Sequence, residues 1–383
     1  MQVLGKSTLV KYLVTAMQAE FNLSSEVTPI GEKGDDFQSD FCYCAYTGKA
    51  CQVLQKKGNY PVKTIHKLLW EFSPKRDGGF YKRKKETLSH KIVIIDEASM
   101  IDAELLKELS SHKETHFIFL GDPGQLPPIM KDKGQTGYDL LQSPHIFLDE
   151  VMRQASESEI IQLSMKIRNG EPLELFKGKE VQVISKEEVT TGHLLWADQI
   201  LCATNLVRMD LNNQVRQLKG FGTEPEDGDK IICLRNYWKN LSSTGQPLVN
   251  GVIGTLRNPF VTEYNLPFTP IHFNMLQADF ELDEGEESDN FYSNLSIDYK
   301  EIKTGEKTLN FEEEQVMKMK HHEDLIPMEF AYGYAITTWK AQGSEWDNVL
   351  VFEEGFPYNK EEHKKFLYTS ITRAKKKVVI VKK

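Results

Sequence analysis

Two rhythms of apolar residues alternate through the first 150 positions of the chain. Leu9, Val10, Leu13, Val14 and Met17 recur at helical spacing, which predicts a helix whose first turn contains Lys6 and Ser7. Phe41 to Tyr46 reads as a strand, and Thr47-Gly48-Lys49-Ala50 leads into a second helix carrying Val53 and Leu54. Ile92 to Ile95 and Phe117 to Leu120 are continuous apolar runs of the kind that forms strands buried on both faces. Such alternation predicts parallel βαβ units. Each apolar run ends directly in polar residues: Asp96-Glu97 after the first, Gly121-Asp122 after the second. In open α/β sheets, ligands collect at those carboxyl ends.

The pattern changes at three places. Residues 71–91 are strongly basic around Asp77-Gly78-Gly79, a tight-turn signal, and predict a small exposed hairpin. A second α/β region begins near Glu159 with a helix that stops at Arg168-Asn169-Gly170, the glycine suiting a C-cap. From about Gly228 to Leu325 short β-like runs, turns and acidic residues replace the helix–strand rhythm. α/β character resumes at Phe330 and ends in the strand-like Val378 to Val381. The expected organisation is an α/β domain over 1–150 carrying the hairpin, and a second over 151–383 interrupted by a β-rich insertion at 228–325.

Composition narrows the class without choosing a function. The 383 residues are 40% hydrophobic and 27% charged, as in an ordinary globular protein large enough for two or three cores. No apolar run approaches a membrane span, and the N-terminus lacks a signal-peptide layout. Five cysteines without zinc-ligand spacing read as buried thiols in a reducing compartment. The net charge of −9 gives no global attraction to nucleic acid, so a polyanion site requires a local basic patch.

The candidate chemistry begins with Gly5-Lys6-Ser7-Thr8, the second half of the phosphate-loop pattern G-x-x-x-x-G-K-[ST], whose first glycine would fall just before Met1. A nucleoside triphosphate needs amides and a lysine around its phosphates, a hydroxyl on Mg²⁺ and an acidic residue to hold the metal. Lys6 and Ser7 supply the lysine and the hydroxyl; Asp96 supplies the acid, with Glu97 placed to orient or deprotonate the attacking water. Taken singly, each is an ordinary surface feature. In one order within one α/β half they are not.

The segments IVIIDEASMID, FIFLGDPGQLPPI, LDEVMRQ, YAITTWKAQGSEWD and FLYTSITRAKK together resemble the ordered motif set of superfamily-one helicases, with the RecD and Dda branch nearest. The resemblance covers nearly the whole chain, least so at the insertion. It implies an α/β fold of two RecA-like P-loop NTPase domains, the second bearing a small β-rich, SH3-like insertion. It also implies an ATP- and Mg²⁺-dependent enzyme that moves 5′ to 3′ on single-stranded DNA and unwinds duplex junctions. Replication or recombination proteins are the partners such an enzyme would have, and the cytoplasm of a bacterium or of a virus-infected cell its location.

Carried over by residue, the resemblance puts Gly5, Lys6, Ser7 and Thr8 on the phosphates and Ser7 and Asp96 on the metal. Glu97 falls on the water, and Gln125 senses the γ-phosphate. Arg153 and Arg373 serve as arginine fingers, and Gly343 and Glu345 lie by the nucleotide. Thr47, Lys49, His66, Thr338 and Lys340 resemble strand-contacting positions. In the basic hairpin, Phe80 or Tyr81 is expected to act as a wedge for splitting or stacking bases, against the plainer reading of a solvated charged face. Two departures stand out. Trp339 replaces the histidine of the family's T-x-H-K-x-Q-G pattern. The strand and adenine-reading segment that precede the phosphate loop in the family are absent, so the chain is expected to be truncated within that loop. A catalytically impaired nucleic-acid-binding product and a P-loop ATPase acting on RNA therefore remain as alternatives.

Overall fold

The computed structural model describes residues 4–24, 26–30, 36–56, 61–74, 80–127, 140–147, 158–243, 245–267, 269–283, 291–319, 322, 325–356 and 359–383. Within these, the side chains of 4–9, 11, 29–30, 36–38, 56, 71–74, 80–82 and 238 lie outside the description. The chain divides into two compact units, the first formed by 1–71, 83–187 and 341–383 and the second by 72–82 and 188–340.

In the first unit a four-stranded parallel sheet runs in the order Val62–Thr64, Phe41–Ala45, Ile92–Asp96, His116–Phe119. The continuous apolar runs are explained by burial on both faces, since successive side chains point to opposite sides of a strand. Phe41, Tyr43, Ile92 and Ile94 pack with Val10, Val14 and Met17 of the helix Leu4–Phe21. Cys42, Cys44, Val93 and Ile95 face the other way, onto Ile65, Leu68 and Leu69 of the helix Ile65–Leu69 and Leu105 and Leu109 of the helix Ala103–Ser110. Asp102 caps the latter helix by accepting from the Leu105 amide at 2.7 Å.

The same unit contains a second ladder. Trp346–Phe352 and Val181–Ile184 both pair in parallel with Ala374–Val381, and Phe176–Lys177 pairs antiparallel at the Val181–Ile184 edge. The helix Glu159–Arg168 ends as the sequence suggests, with Gly170 at φ +83°. Lys360–Ile371 is the helix that joins the neighbouring strands Trp346–Phe352 and Ala374–Val381.

In the second unit Gln199–Cys202 pairs in parallel with Ala335–Thr337, beside the helix Asn205–Leu218. Five antiparallel strands form a separate sheet, ordered Phe291–Asp298, His272–Leu282, Ile253–Asn265, Lys230–Cys233, Phe330–Tyr332. Gly254 is fixed by this sheet: a Cβ there would lie 2.1 Å from the Glu281 carbonyl oxygen. The absence of helical rhythm between 228 and 325 misses two short helices, Tyr299–Thr304 and Phe311–Met319. Both are fixed by their surroundings rather than by a long apolar stripe. Asp298 caps the first by accepting from the amides of Lys300 and Glu301, and Met317 of the second is buried in a small cluster with Leu266, Ile271 and Phe273.

Glu301 gives this unit a pH-dependent stability. It is 7% exposed, and burial, reinforced by the charges of Glu329 and Asp298, pushes its carboxyl up to about 7 against the opposing pull of Lys307 and Arg235. Because the folded state holds this proton more tightly than the unfolded state, its contribution to stability falls as pH rises from about 4.5 to about 7 and stays low above that. Glu301→Gln should remove that slope and raise stability at pH 8 by roughly 1–3 kcal/mol. Urea denaturation of both proteins at pH 5 and pH 8 measures it, and parallel pH dependences would show that Glu301 does not titrate there.

Candidate active site

Asp96 ends the Ile92–Asp96 strand, and Glu97 follows it with φ +53° and ψ +44°, the left-handed region that a residue with a Cβ occupies at a cost of about 1 kcal/mol or more. The turn is held by the Asp96 carboxylate, which accepts from the Glu97 amide at 2.9 Å, and by the Ala98 amide, which donates to Leu120 O at 2.8 Å. The segment after Leu120 is thereby laid against this turn. Its Asp122 carboxylate accepts from the Gly124 amide at 2.9 Å and from the Tyr368 hydroxyl at 2.5 Å. Arg168 pairs with Asp122 at 3.5 Å and lies over the rings of Phe147 and Tyr368. Burial and the neighbouring Asp122 carboxylate hold the Tyr368 phenol well above its usual range, so it stays a donor.

Gln125, in this loop, is 8% exposed, and its Oε1 has no hydrogen-bond partner among the described residues. The next residue, Leu126, ties two distant segments together. Its amide donates to Thr369 Oγ1 at 2.9 Å, and its carbonyl accepts from Gln342 Nε2 at 2.9 Å. Gln342 precedes Gly343, which sits at φ +78° where any other residue would be strained. Gln342, Gly343 and Glu97 line a narrow crevice together with Tyr46, Thr47, Ala50 and Met100.

The structure thus brings Thr47, Glu97 and Gly343 together and joins Gln125 to them through Leu126 and Gln342. Thr47 also caps the helix Gly48–Lys56, accepting from the Ala50 amide at 3.2 Å. Lys49 is 7% exposed, with its ammonium 5.9 Å from the Trp346 ring centroid, within cation–π range. His66 is exposed, stacked on Trp70 at 5.3 Å and edge-on to Tyr46 at 5.8 Å. Arg373 is 5% exposed; its Nε donates to Thr369 O at 3.1 Å, its Nη1 to Ser344 O and its Nη2 to Thr372 Oγ1, both at 3.3 Å. Glu345, half-buried, follows Ser344.

Thr338 and Lys340 fall in the second unit. Thr338 is fully buried and donates to Cys202 O at 3.3 Å, and Lys340 donates to Asn250 Oδ1 at 2.8 Å. Burial, with Arg208 nearby, lowers the Lys340 ammonium below its usual value.

Gly5, Lys6, Ser7 and Thr8 occupy the first turns of the helix Leu4–Phe21, their side chains outside the description. Arg153 and the 75–79 turn lie outside the described residues, whereas Trp70–Pro74 and Phe80–Lys84 pair as a two-stranded hairpin, Phe80 and Tyr81 being known only by backbone. Lys84, at the hairpin base, forms an ion pair with Glu108. All five cysteines are free and buried, and no cluster of His, Cys, Asp and Glu suited to a metal occurs among the described residues. No helix among those residues is long and apolar enough to cross a membrane.

Sequence reasoning missed Gln342, Tyr46 and Tyr368. Gln342 lies inside the YAITTWKAQGSEWD segment, and its signal was an amide side chain directly before a glycine that requires a left-handed conformation. Tyr46 and Tyr368 carried no such cue, because their roles come from partners far away in sequence.

Parallel strands with acidic and glycine-containing turns at their carboxyl ends are the open α/β arrangement in which ligands bind at strand ends. Residues 4–187 match the family model described as an AAA domain, and residues 332–381 match the UvrD-like helicase C-terminal domain. The ATP-dependent RecD2 DNA helicase of Deinococcus radiodurans is 26% identical over 352 residues, covering 87% of this chain and 41% of the relative. An uncharacterized protein of Acanthamoeba polyphaga mimivirus is 29% identical over 236 residues, covering 55% of this chain and 45% of the relative. The chain therefore spans under half the length of these curated relatives. Among solved structures, the Pif1 helicase of Candida albicans superposes with a TM-score of 0.51 at 15% identity, covering 99% of this chain and 88% of that one, a likeness of fold with two RecA-like domains. The chain is thus similar to superfamily-one helicases of RecD type along most of its length.

Proposed function

We propose that this chain is an ATP-hydrolysing DNA helicase that translocates along single-stranded DNA, 5′ to 3′, and opens duplex junctions. The observation that carries the proposal is the arrangement around one strand end. Glu97 shares a crevice with Thr47 and Gly343, while the loop bearing Gln125 is tied to the residue before that glycine. A site that hydrolyses a triphosphate and reports on a bound strand needs this kind of link between acid, phosphate-sensing amide and strand-facing residue.

Mg²⁺ fits the donor set by chemistry, because the Asp96 carboxylate at the strand end is the hard oxygen ligand such a cation takes. Asp96 and Ser7 would hold it, and when bound it would neutralise charge developing on the β- and γ-phosphate oxygens. Lys6 would contact those same oxygens, and Glu97 would accept the proton of the attacking water. Arg373 lies among backbone carbonyls that hold its guanidinium in one orientation, and Arg153 is its proposed companion, both acting as fingers that stabilise the transferring phosphoryl group. Gly343 and Glu345 would flank the nucleotide. Thr47, Lys49, His66 and Lys340 would face the strand, with Thr338, fully buried against Cys202 O, holding the turn that carries Lys340, and Phe80 and Tyr81 at the hairpin would separate or stack bases. The two domains are proposed to span 1–150 and 151–383.

The test is unwinding of forked duplexes bearing a 5′ or a 3′ single-stranded tail, with matching RNA forks as comparison. Only the 5′-tailed DNA fork should open in an ATP-dependent manner; opening of the 3′-tailed fork alone, or of RNA alone, would contradict the proposal. Replacing Phe80 and Tyr81 together by alanine should lower unwinding while sparing DNA-stimulated ATP hydrolysis. Equal loss of both activities would mean that the hairpin is not a separation element.

A further inference from the structure

Two successive residues of the helix Lys360–Ile371 hold the two ends of the loop that carries Gln125. Tyr368 takes the near end. Its hydroxyl donates to Asp122 Oδ2 at 2.5 Å, and a hydrogen bond to a charged acceptor is of the strong kind. Thr369 takes the far end, its Oγ1 accepting from the Leu126 amide at 2.9 Å. Asp122 is itself fixed in the loop: Oδ1 accepts from the Gly124 amide at 2.9 Å and faces Arg168 Nη1 at 3.5 Å. Gly124 lets the loop lie flat on the tyrosine ring, since a Cβ there would come 3.0 Å from its Cε1. Thr369 has a second task. Its carbonyl accepts from Arg373 Nε at 3.1 Å and from Thr372 Oγ1 at 3.0 Å, so one residue holds the loop by its side chain and the guanidinium by its backbone. Leu126 and Thr369 are both fully buried, which keeps water from competing for these bonds.

We propose that the Tyr368–Asp122 bond is a clasp that locks the Gln125 loop and the Arg373 guanidinium into one body, which makes Tyr368 a positioning residue for phosphoryl transfer. This rests on the reading of the chain as an ATP hydrolase in which Arg373 meets the transferring phosphoryl group. Tyr368 takes no part in the chemistry itself. Burial and the Asp122 charge keep its phenol protonated, so it remains a donor to Asp122. A single anchor leaves a loop free to turn about it, whereas anchors at both ends fix its orientation as well as its place. Without the tyrosine hydroxyl, Asp122 is left to Arg168 and the loop is held at its Leu126 end. Rotation there pulls on Thr369, whose carbonyl aims Arg373. A guanidinium stabilises charge on the phosphoryl oxygens only when it is already in place, so a small displacement costs rate rather than binding.

The experiment compares the full chain with Tyr368→Phe, which removes one oxygen and keeps the ring, with Arg373→Ala, and with the double variant. Two quantities are read: steady-state ATP hydrolysis with single-stranded DNA, and hydrogen exchange of backbone amides without nucleotide. Tyr368→Phe should lower kcat about 10-fold with KM for ATP unchanged within about twofold. Arg373→Ala should lower kcat about 10³-fold. Adding Tyr368→Phe to it should cost less than about twofold more, because a residue that acts through the arginine has nothing left to position. In Tyr368→Phe the Gly124 and Leu126 amides should exchange about 10-fold faster, while the Leu105 amide on the Asp102 cap exchanges as before. The inference is overturned if Tyr368→Phe keeps wild-type kcat, or if the two losses multiply in the double variant, as they would for a hydroxyl of merely structural value. Unchanged exchange at Gly124 and Leu126 would overturn it as well. If the unsubstituted chain hydrolyses no ATP with DNA, the functional reading fails and takes the role in phosphoryl transfer with it. The exchange measurement needs no turnover, so it separates that failure from the absence of the clasp.

Discussion

Glu97→Gln should lower DNA-stimulated ATP turnover by about 10²- to 10⁴-fold, the range that a positioned general base supplies. The change replaces a proton acceptor by a neutral amide of nearly the same shape. The Asp96 carboxylate still accepts from the residue 97 amide, and the Ala98 amide still meets Leu120 O, so the strand-end turn should survive. Melting temperature and ADP affinity should therefore stay close to those of the unsubstituted chain. The left-handed backbone at Glu97 sharpens this expectation. Strain of that kind persists only where surrounding structure over-determines it, and here it falls on a residue that lines the crevice with Gln342 and Gly343. Turnover by Glu97→Gln within about threefold of wild type would remove Glu97 from the chemistry.

Asp229→Ala should lower the stability of the second unit by roughly 3–5 kcal/mol, because it strands a buried guanidinium. Arg216 is 4% exposed and Asp229 fully buried, joined by Nε–Oδ1 at 2.8 Å and Nη2–Oδ2 at 2.9 Å. The same carboxylate accepts from the Tyr334 hydroxyl at 3.1 Å and the Glu226 amide at 2.8 Å. Arg216 in turn donates to Gly222 O at 2.8 Å and lies 4.1 Å from the Tyr332 ring centroid. Burial opposes its charge, yet the hydrogen-bonded pairing with Asp229 outweighs that and holds the guanidinium above its ordinary value. Removing both charges, as Arg216→Met with Asp229→Leu, should recover part of the loss, since an apolar pair leaves no orphaned ion. Urea denaturation gives both numbers. A loss under about 1 kcal/mol in Asp229→Ala would show that water reaches Arg216.

What the sequence disclosed was local. The run Ile92 to Ile95 announced a strand buried on both faces, and the polar residues at its end announced where chemistry would sit. Gly170 announced a helix stop that the backbone makes at φ +83°. What stayed hidden depended on distance along the chain. Nothing near Leu126 says that it will be held by Thr369 on one side and Gln342 on the other, separations of 243 and 216 residues. The buried pair Arg216 and Asp229 reads in the sequence as two ordinary surface charges, and only the rings of Tyr332 and Tyr334 closing over it make it a core feature. The helices Tyr299–Thr304 and Phe311–Met319 were missed because a cap and a small packing cluster, not periodicity, define them.

The central claim is that this chain turns ATP hydrolysis into movement on DNA, and the rate of ATP hydrolysis with and without single-stranded DNA tests it most directly. Single-stranded DNA should stimulate the rate severalfold or more in the chain as it stands, and Lys6→Ala should abolish that stimulated rate. Equal rates for the two proteins in the presence of DNA would contradict the claim.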